Sequence, residues 1–375
     1  MSSAAQTSGS RALSKAKSAK QDEFYTQLSD IENELKHYRA QFKGKIVLCN
    51  CDDPYESNFF RYFALNFNAL GLRKLIATSY SGSAIAGGLL PLMEIEGLKP
   101  TGREPYAIEI NEVPDVNDDG AIDLADVEWL LKNDANTCHT LKGDGEHGPG
   151  DFRSAECIDY LNEADIVVTN PPFSLFREYV SQLFEYKKNF IILGNVNACT
   201  YKEIFHLIKS DKIWLGQSIH SGDREFRVPD HYPLQASGCR VDEDGRKYIR
   251  VKGVRWFTNM DVPKRHDLIP LFRKFSEEQY PRYDNYNAIE VGKTSDIPDD
   301  YFHPMGVPIT FLDRYNPNQF KILGITDRDN NSGLKTKEYN ISETPNPGDL
   351  NRRGAIKVDG VLKSTYARLL IQRVV

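Results

Sequence analysis

The sequence predicts an α/β fold, a doubly wound sheet with helices on both faces, and three observations carry that prediction. Short apolar, β-branched runs of strand length recur, at Ile46-Val47-Leu48, Leu75-Ile76-Ala77 and Ile166-Val167-Val168. Segments with helical apolar spacing lie between such runs, the alternation expected of a sheet with crossover helices. Two of the strands end abruptly, one in a polar turn and one in consecutive prolines, Pro171 and Pro172. The carboxyl ends of strands are where open α/β sheets bind ligands.

The size and composition fit this fold. A chain of 375 residues with 40% hydrophobic and 11% aromatic content can bury a catalytic core and still carry an accessory region. No apolar run approaches the ~20 residues of a membrane span, and no apolar signal segment opens the sequence. A cytoplasmic protein without a membrane partner is therefore expected. The six cysteines, 49, 51, 138, 157, 199 and 239, form no CxxC pair and read as reduced structural thiols, with Cys49 and Cys51 alternating along a strand. Cys138, His139, His147 and Cys157 match no standard zinc spacing. The formal net charge is −6, yet residues 109–128 hold eight acids and no base. The rest of the chain is slightly positive, so net charge does not argue against a nucleic-acid partner.

Taken in order, residues 1–20 are rich in Ser, Ala, Lys and Arg without an acid and read as a disordered basic arm. A helix through about Tyr38 follows, with Leu28, Ile31, Leu35 and Tyr38 at helical spacing. Lys45–Cys49 is the first strand, ending in Asn50, Cys51, Asp52, Asp53 and Pro54, and Ser57 opens an aromatic-rich helix. This strand–turn–helix unit predicts a cofactor pocket at the turn. Lys74–Tyr80 is the second strand. Further strand candidates are Cys138–Lys142, Ile166–Thr169, Phe190–Leu193, Lys212–Leu215 and Val254–Thr258, with Tyr201–Lys209 as one of the intervening helices.

Asn170-Pro171-Pro172-Phe173 stops the strand at Thr169, and a helix is expected from Ser174. Each proline removes a backbone donor and fixes φ, which leaves the neighbouring carbonyls to face a ligand. An amide oxygen, a carbonyl and an aromatic face suit an exocyclic amine on a flat ring. The Asn170 Oδ1 atom and the Pro171 carbonyl accept from the NH2 group and aim its lone pair at an electrophile, while Phe173 stacks on the ring.

Nine ordered segments then carry a resemblance. They are Asp-Glu-Phe-Tyr-Thr-Gln at 22–27, Cys-Asn-Cys-Asp-Asp-Pro at 49–54, Gly-Asp-Phe-Arg-Ser at 150–154 and Asn-Pro-Pro-Phe-Ser-Leu-Phe at 170–176. They continue with Asn-Val-Asn at 195–197, Thr-Tyr-Lys-Glu at 200–203, Ile-Trp-Leu-Gly at 213–216, Met-Gly-Val-Pro-Ile-Thr-Phe at 305–311 and Tyr-Ala-Arg-Leu-Leu-Ile at 366–371. Together they resemble the EcoRI-type adenine-specific DNA methyltransferases over nearly the whole chain from residue 21. The resemblance implies a Rossmann-like methyltransferase sheet, S-adenosylmethionine as methyl donor without a catalytic metal, and a duplex DNA substrate whose target adenine is flipped out. It also implies a restriction-modification or orphan modification setting, in which a cognate endonuclease would act separately, and a monomer.

Roles for particular residues follow from the same resemblance. Tyr25 and Thr26 match the element beside the methionine end of the cofactor. Asn50, Cys51, Asp52 and Asp53 replace the usual glycine-rich turn, where a carboxylate would favour a cationic ligand. The second strand ends in Thr78, Ser79 and Tyr80 in place of the usual ribose-binding acid, which makes Ser79 the candidate there. Asp151 and Phe152 match the position that contacts the cofactor's adenine, with Asp144 as a rival. RNA adenine methyltransferases and protein glutamine methyltransferases also use Asn-Pro-Pro-aromatic, and a catalytically silent DNA-binding relative would keep the fold.

Two further segments stand apart. Asp115, Asn117, Asp119, Ala121, Asp123 and Asp126 occupy the ligand positions of a twelve-residue calcium loop with Gly120 at its sharp turn. This resembles EF-hand and dockerin-type loops and predicts a structural calcium ion in an insertion at about 105–135. From 218 to 253 turn residues increase, and residues 224–255 hold eight bases against five acids. Arg224, Arg227, Arg246, Lys247 and Arg250 are the expected DNA contacts of this insertion. The division expected from sequence is thus a core over 21–217, the recognition insertion, a last core strand and connection over 254–282, and a C-terminal recognition lobe over 283–375.

Overall fold

The computed structural model describes residues 25–51, 54, 57–80, 105–116, 122–133, 138–228, 238–327, 333–344 and 347–374. The chain divides into two compact units, Met1–Asn195 with Ser221–Met260, and Val196–His220 with Asp261–Val375.

The first unit opens with α1 (Leu28–Leu35), which buries Ile31 and Leu35. β1 (Ile46–Cys49) is followed by α2 (Asn58–Leu65) and α3 (Phe67–Leu70). Ser57 caps α2, its side chain accepting from the amides of Phe59 and Phe60. Next come β2 (Lys74–Thr78), β3 (Tyr106–Ile110), α4 (Leu124–Asn133), β4 (Cys138–Thr140) and α5 (Ala155–Glu163). β5 (Ile166–Thr169), α6 (Phe176–Glu185) and β6 (Asn189–Asn195) complete the run. Within this unit the strands stand in the order β4, β3, β2, β1, β5, β6, then Val254–Thr258. The strands β2, β1, β5 and β6 are parallel to one another, whereas β3, β4 and Val254–Thr258 pair antiparallel. The result is a large mixed sheet with helices between its strands, consistent with a methyltransferase fold.

Every residue of β1 and β5 is buried, as expected where a strand is covered on both faces. Asp165 fixes the register of this central pair. Its Oδ2 atom accepts the Ile46 amide at 2.9 Å, and its own amide donates to the Ile46 carbonyl at 2.9 Å. The chain leaves β1 in one direction, through β2 to β4, and returns to β5 on the other side. The order therefore reverses between β1 and β5, the crevice where such sheets bind ligands.

In the second unit, α7 (Lys202–Lys209) and β7 (Trp214–Leu215) precede the return to the first. There β8 (Asp223–Val228), β9 (Arg240–Val241) and β10 (Lys247–Lys252) form an antiparallel three-stranded sheet in the order β8, β10, β9, and Val254–Thr258 is β11. The remainder of the second unit is a four-stranded sheet of β12 (Ile289–Glu290), β13 (Met305–Pro308), β14 (Phe320–Ile325) and β17 (Arg368–Arg373). It also contains α8 (Pro347–Arg352) and the hairpin of β15 (Ala355–Val358) and β16 (Val361–Ser364). Among the described residues no helix is long and apolar enough to cross a membrane, and all six cysteines are free thiols.

Candidate active site

The pairing of Val47 with Ile166 and of Leu48 with Val167 brings the ends of β1 and β5 side by side. Beyond the last paired residues a side chain continues the tie, the Thr169 hydroxyl donating to the Asn50 carbonyl. Cys51 then takes a φ of 70°, the left-handed region that a non-glycine residue enters at a cost. The expected strand alternation from Cys49 to Cys51 is thus corrected: β1 ends at Cys49 and the chain turns away at Cys51. Asn50 and Cys51 are both buried. Asp52 and Asp53 lie outside the described residues.

Asn170 is only 2% exposed at the end of β5, with Pro171 and Pro172 buried and Phe173 half-buried. The Leu175 amide donates to the Pro172 carbonyl at 3.0 Å and closes a 3-10 turn over Phe173–Leu175. The α-helix therefore begins at Phe176, two residues later than the expected start at Ser174. The prolines account for the delay, since they donate no hydrogen bond and hold the chain extended before the turn. Phe176 is seated in space that only a glycine leaves, because a Cβ on Gly194 of β6 would come within 2.5 Å of its ring.

A second approach fixes Asp151 and Phe152. Gly150 has a φ of +76°, and a Cβ there would lie 1.9 Å from the Ser79 carbonyl oxygen. Only glycine lets this loop reach the end of β2. Asp151 is 6% exposed and is held by Arg153, with the guanidinium at 3.0 and 2.8 Å from its two oxygens. Burial raises the Asp151 pKa, but the Arg153 hydrogen bonds and charge outweigh it and leave the carboxyl below its ordinary value. Phe152 meets Tyr179 edge to face at 5.0 Å. The Tyr179 hydroxyl in turn donates to Asn50 Oδ1, and burial lifts its pKa far above the ordinary phenol value. One continuous set of contacts thus runs from the Phe152 loop through α6 to the ends of β1 and β5. Sequence reasoning missed Tyr179; its only signal was a polar tip on the buried face of a helix.

Ser79 lies beside this loop, but its hydroxyl is engaged in the sheet, accepting the Tyr106 amide at 2.9 Å. Asp144 takes a turn-forming role, accepting the amides of Glu146, His147 and Ala155. Tyr25 pairs with β8 through its amide on the Arg227 carbonyl at 3.1 Å, and Asn58 at the start of α2 donates to the Thr26 carbonyl at 2.7 Å. The buried Thr26 Oγ1 atom has no hydrogen-bond partner among the described residues. A buried hydroxyl of this kind, a buried aromatic at 152 and an amide at 50 fit a ligand with a flat base and a polar amino-acid end.

On the β8–β10–β9 sheet the expected DNA contacts divide between faces. Arg227 stands across from Tyr248, and Arg250 across from Glu225, so these four share one face. The Arg227 guanidinium lies 5.8 Å from the Tyr25 ring centroid, and Arg250 is 4.0 Å from Glu225. Arg224 lies on the other face at 3.7 Å from Asp30, Lys247 stands across from the buried Val228, and Arg246 pairs with Asp244 at 3.2 Å.

Where the acidic segment is described, its carboxylates bond to backbone amides. Asp126 accepts the Val116 amide on one oxygen and the Asp123 amide on the other, at 2.9 and 2.8 Å. Those bonds hold its carboxyl below the ordinary value. Asp123 caps the start of α4, accepting from Ala125 at 2.7 Å. Asn117, Asp119 and Ala121 lie outside the described residues, and among the described ones no group of three or more acids, histidines or cysteines, Asp115 included, is placed to hold a metal.

A family model described as adenine-specific methyltransferase EcoRI matches residues 12–374. The chain is 46% identical over 339 residues to Type II methyltransferase M.EcoRI of Escherichia coli, covering 87% of this chain and 93% of that protein. It is 38% identical over 315 residues to Type II methyltransferase M.MpnI of Mycoplasma pneumoniae, covering 83% and 84%. It is 33% identical over 365 residues to Type II methyltransferase M.MgeORF184P of Mycoplasma genitalium, covering 96% and 98%. No solved structure matches the chain. The chain belongs to the family of EcoRI-type adenine-specific methyltransferases.

Proposed function

We propose that this DNA adenine methyltransferase transfers the methyl group of S-adenosylmethionine to N6 of an adenine turned out of duplex DNA, at the ends of β1 and β5. The observation that carries the reading is the burial of Asn170 at the strand end beside the Asn50–Cys51 turn. Asn170 Oδ1 and the Pro171 carbonyl accept the two N–H groups of the amine and draw its lone pair out of ring conjugation. Pro172 holds the extended geometry, and Phe173 stacks on the base. The bound cofactor supplies an already activated methyl group, so alignment and exclusion of water are what the protein adds.

Asn50, Cys51, Asp52 and Asp53, with Tyr25 and Thr26, are proposed to hold the amino-acid end of the cofactor. Phe152 and Asp151 are proposed for its adenine, and Ser79, at the end of the second strand, for its ribose. Arg227 and Arg250 suit phosphate contact from their shared strand face, and Arg224, Arg246 and Lys247 are proposed as further DNA contacts of the same insertion. A cytoplasmic monomer, acting apart from any partner endonuclease, fits this reading. The spacing of 115–126 supports a structural calcium ion, whose effect would be confined to that loop.

The test is transfer of labelled methyl from S-adenosylmethionine to duplex DNA, RNA and protein offered in parallel. Label in DNA alone is expected. Label in RNA or in glutamine side chains would overturn the substrate assignment, and no transfer at all would leave a silent DNA-binding relative.

A further inference from the structure

Asn50 is a neutral amide at a strand end where a carboxylate would serve a cationic ligand, and its orientation is set by two donors. The Tyr179 hydroxyl donates to Asn50 Oδ1, and the Cys51 thiol lies 3.6 Å from the same oxygen. Turned over, the amide would present its NH2 group to a thiol, which is a weak acceptor. Tyr179 is itself fixed, fully buried on α6 and packed edge to face on Phe152. The Asn50 backbone is fixed too, by the Thr169 hydroxyl on its carbonyl. With Oδ1 committed, Nδ2 and its two N–H groups serve whatever occupies the turn.

We propose that Tyr179 is a positioning residue that holds the Asn50 amide with its NH2 group as donor to the carboxylate of the cofactor's amino-acid end. This rests on the cofactor reading above and deepens it. The amino-acid end of S-adenosylmethionine carries one anionic and one cationic group. Asp52 and Asp53 follow Asn50 after one intervening residue, Cys51, so an amide donor and two carboxylates lie close in sequence, one chemistry for each charge. Loss of the Tyr179 hydroxyl removes no cofactor contact in this scheme; it frees the amide to rotate.

The test compares binding of S-adenosylmethionine with that of its decarboxylated analogue by calorimetry, using the full chain. The wild type is expected to bind the carboxylate-bearing form more tightly. Tyr179→Phe should weaken that form by about fivefold and leave the analogue nearly unchanged. Asn50→Asp, which keeps an acceptor for Tyr179 but offers no NH2 group, should reverse the preference by like-charge repulsion. If Tyr179→Phe does not fold, judged by its melting transition, the Asn50→Asp comparison carries the test. An unchanged preference in the folded variants would overturn the proposal while the cofactor reading stands. Failure of the wild type to bind either compound would overturn both.

Discussion

The pocket at the ends of β1 and β5 and the β8–β10–β9 sheet use polar side chains in opposite ways. In the pocket Asn50, Tyr179 and Thr169 are buried and bonded to one another, and Asn170 is buried beside them. On the sheet Arg240 forms a forked bond to Glu225 and stacks at 4.1 Å on Tyr248, with Arg250 beside the same acid and more than half exposed. Removing one partner from a buried set leaves the other without compensation, whereas an exposed ion pair is worth little by itself. The pocket should therefore respond sharply to single atoms, and the sheet gradually to charge.

The largest effect is expected at Asn170. Asn170→Ala should lower turnover about a hundredfold or more, because the acceptor matters most as the amine approaches the transition state. Cofactor and DNA affinities should change little, and a turnover close to wild type would remove Asn170 from the chemistry. Gly150→Ala comes next. It combines a left-handed φ with a Cβ 1.9 Å from the Ser79 carbonyl, and should cost about 2 kcal/mol or more in denaturant unfolding. An unaltered midpoint would mean that the 150–152 loop is not held against β2.

The sheet should show a softer response. Arg227→Ala with Arg250→Ala should weaken duplex binding about tenfold and flatten its salt dependence by about two phosphate contacts. A loss of turnover at saturating DNA with no change in salt slope would instead tie these arginines to the chemistry of the pocket. The smallest effect is expected at Asp126→Ala, which should lower the melting midpoint by about two degrees and leave methyl transfer intact. The Asp126 carboxyl sits below its ordinary value, so its contribution is complete above about pH 4 and is lost as pH falls through the lower folded value. Calcium should raise the melting point of wild type in proportion to occupancy, and no shift at millimolar calcium would leave capping as the whole role of the segment.

Much of the central sheet was legible because its signals are local. The β-branched runs of β1, β2 and β5, the Ser57 cap and the double proline each act within a few residues. What was not legible depends on distant partners. The strand β3, at Tyr106–Ile110, is not among the expected strands, and it pairs antiparallel with the distant β2, whereas β4 falls within the expected Cys138–Lys142. Ser79 pairs with Tyr106 across the sheet, and Tyr179 reaches Asn50 from another element. Cys51 occupies a left-handed position that glycine would have announced. Asp123 and Asp126 show a different ambiguity. A carboxylate that caps a helix and one that binds calcium are the same residue at similar spacing, and only the position of the amides separates them.

The atom proposed to receive the methyl group is the exocyclic nitrogen of adenine. Duplex DNA exposed to the enzyme with methyl-labelled S-adenosylmethionine can be digested to nucleosides and the labelled species identified by mass spectrometry. N6-methyladenine as the sole labelled nucleoside is the predicted result. Label on cytosine, or on a ring nitrogen of adenine, would contradict the geometry assigned to Asn170, Pro171 and Phe173.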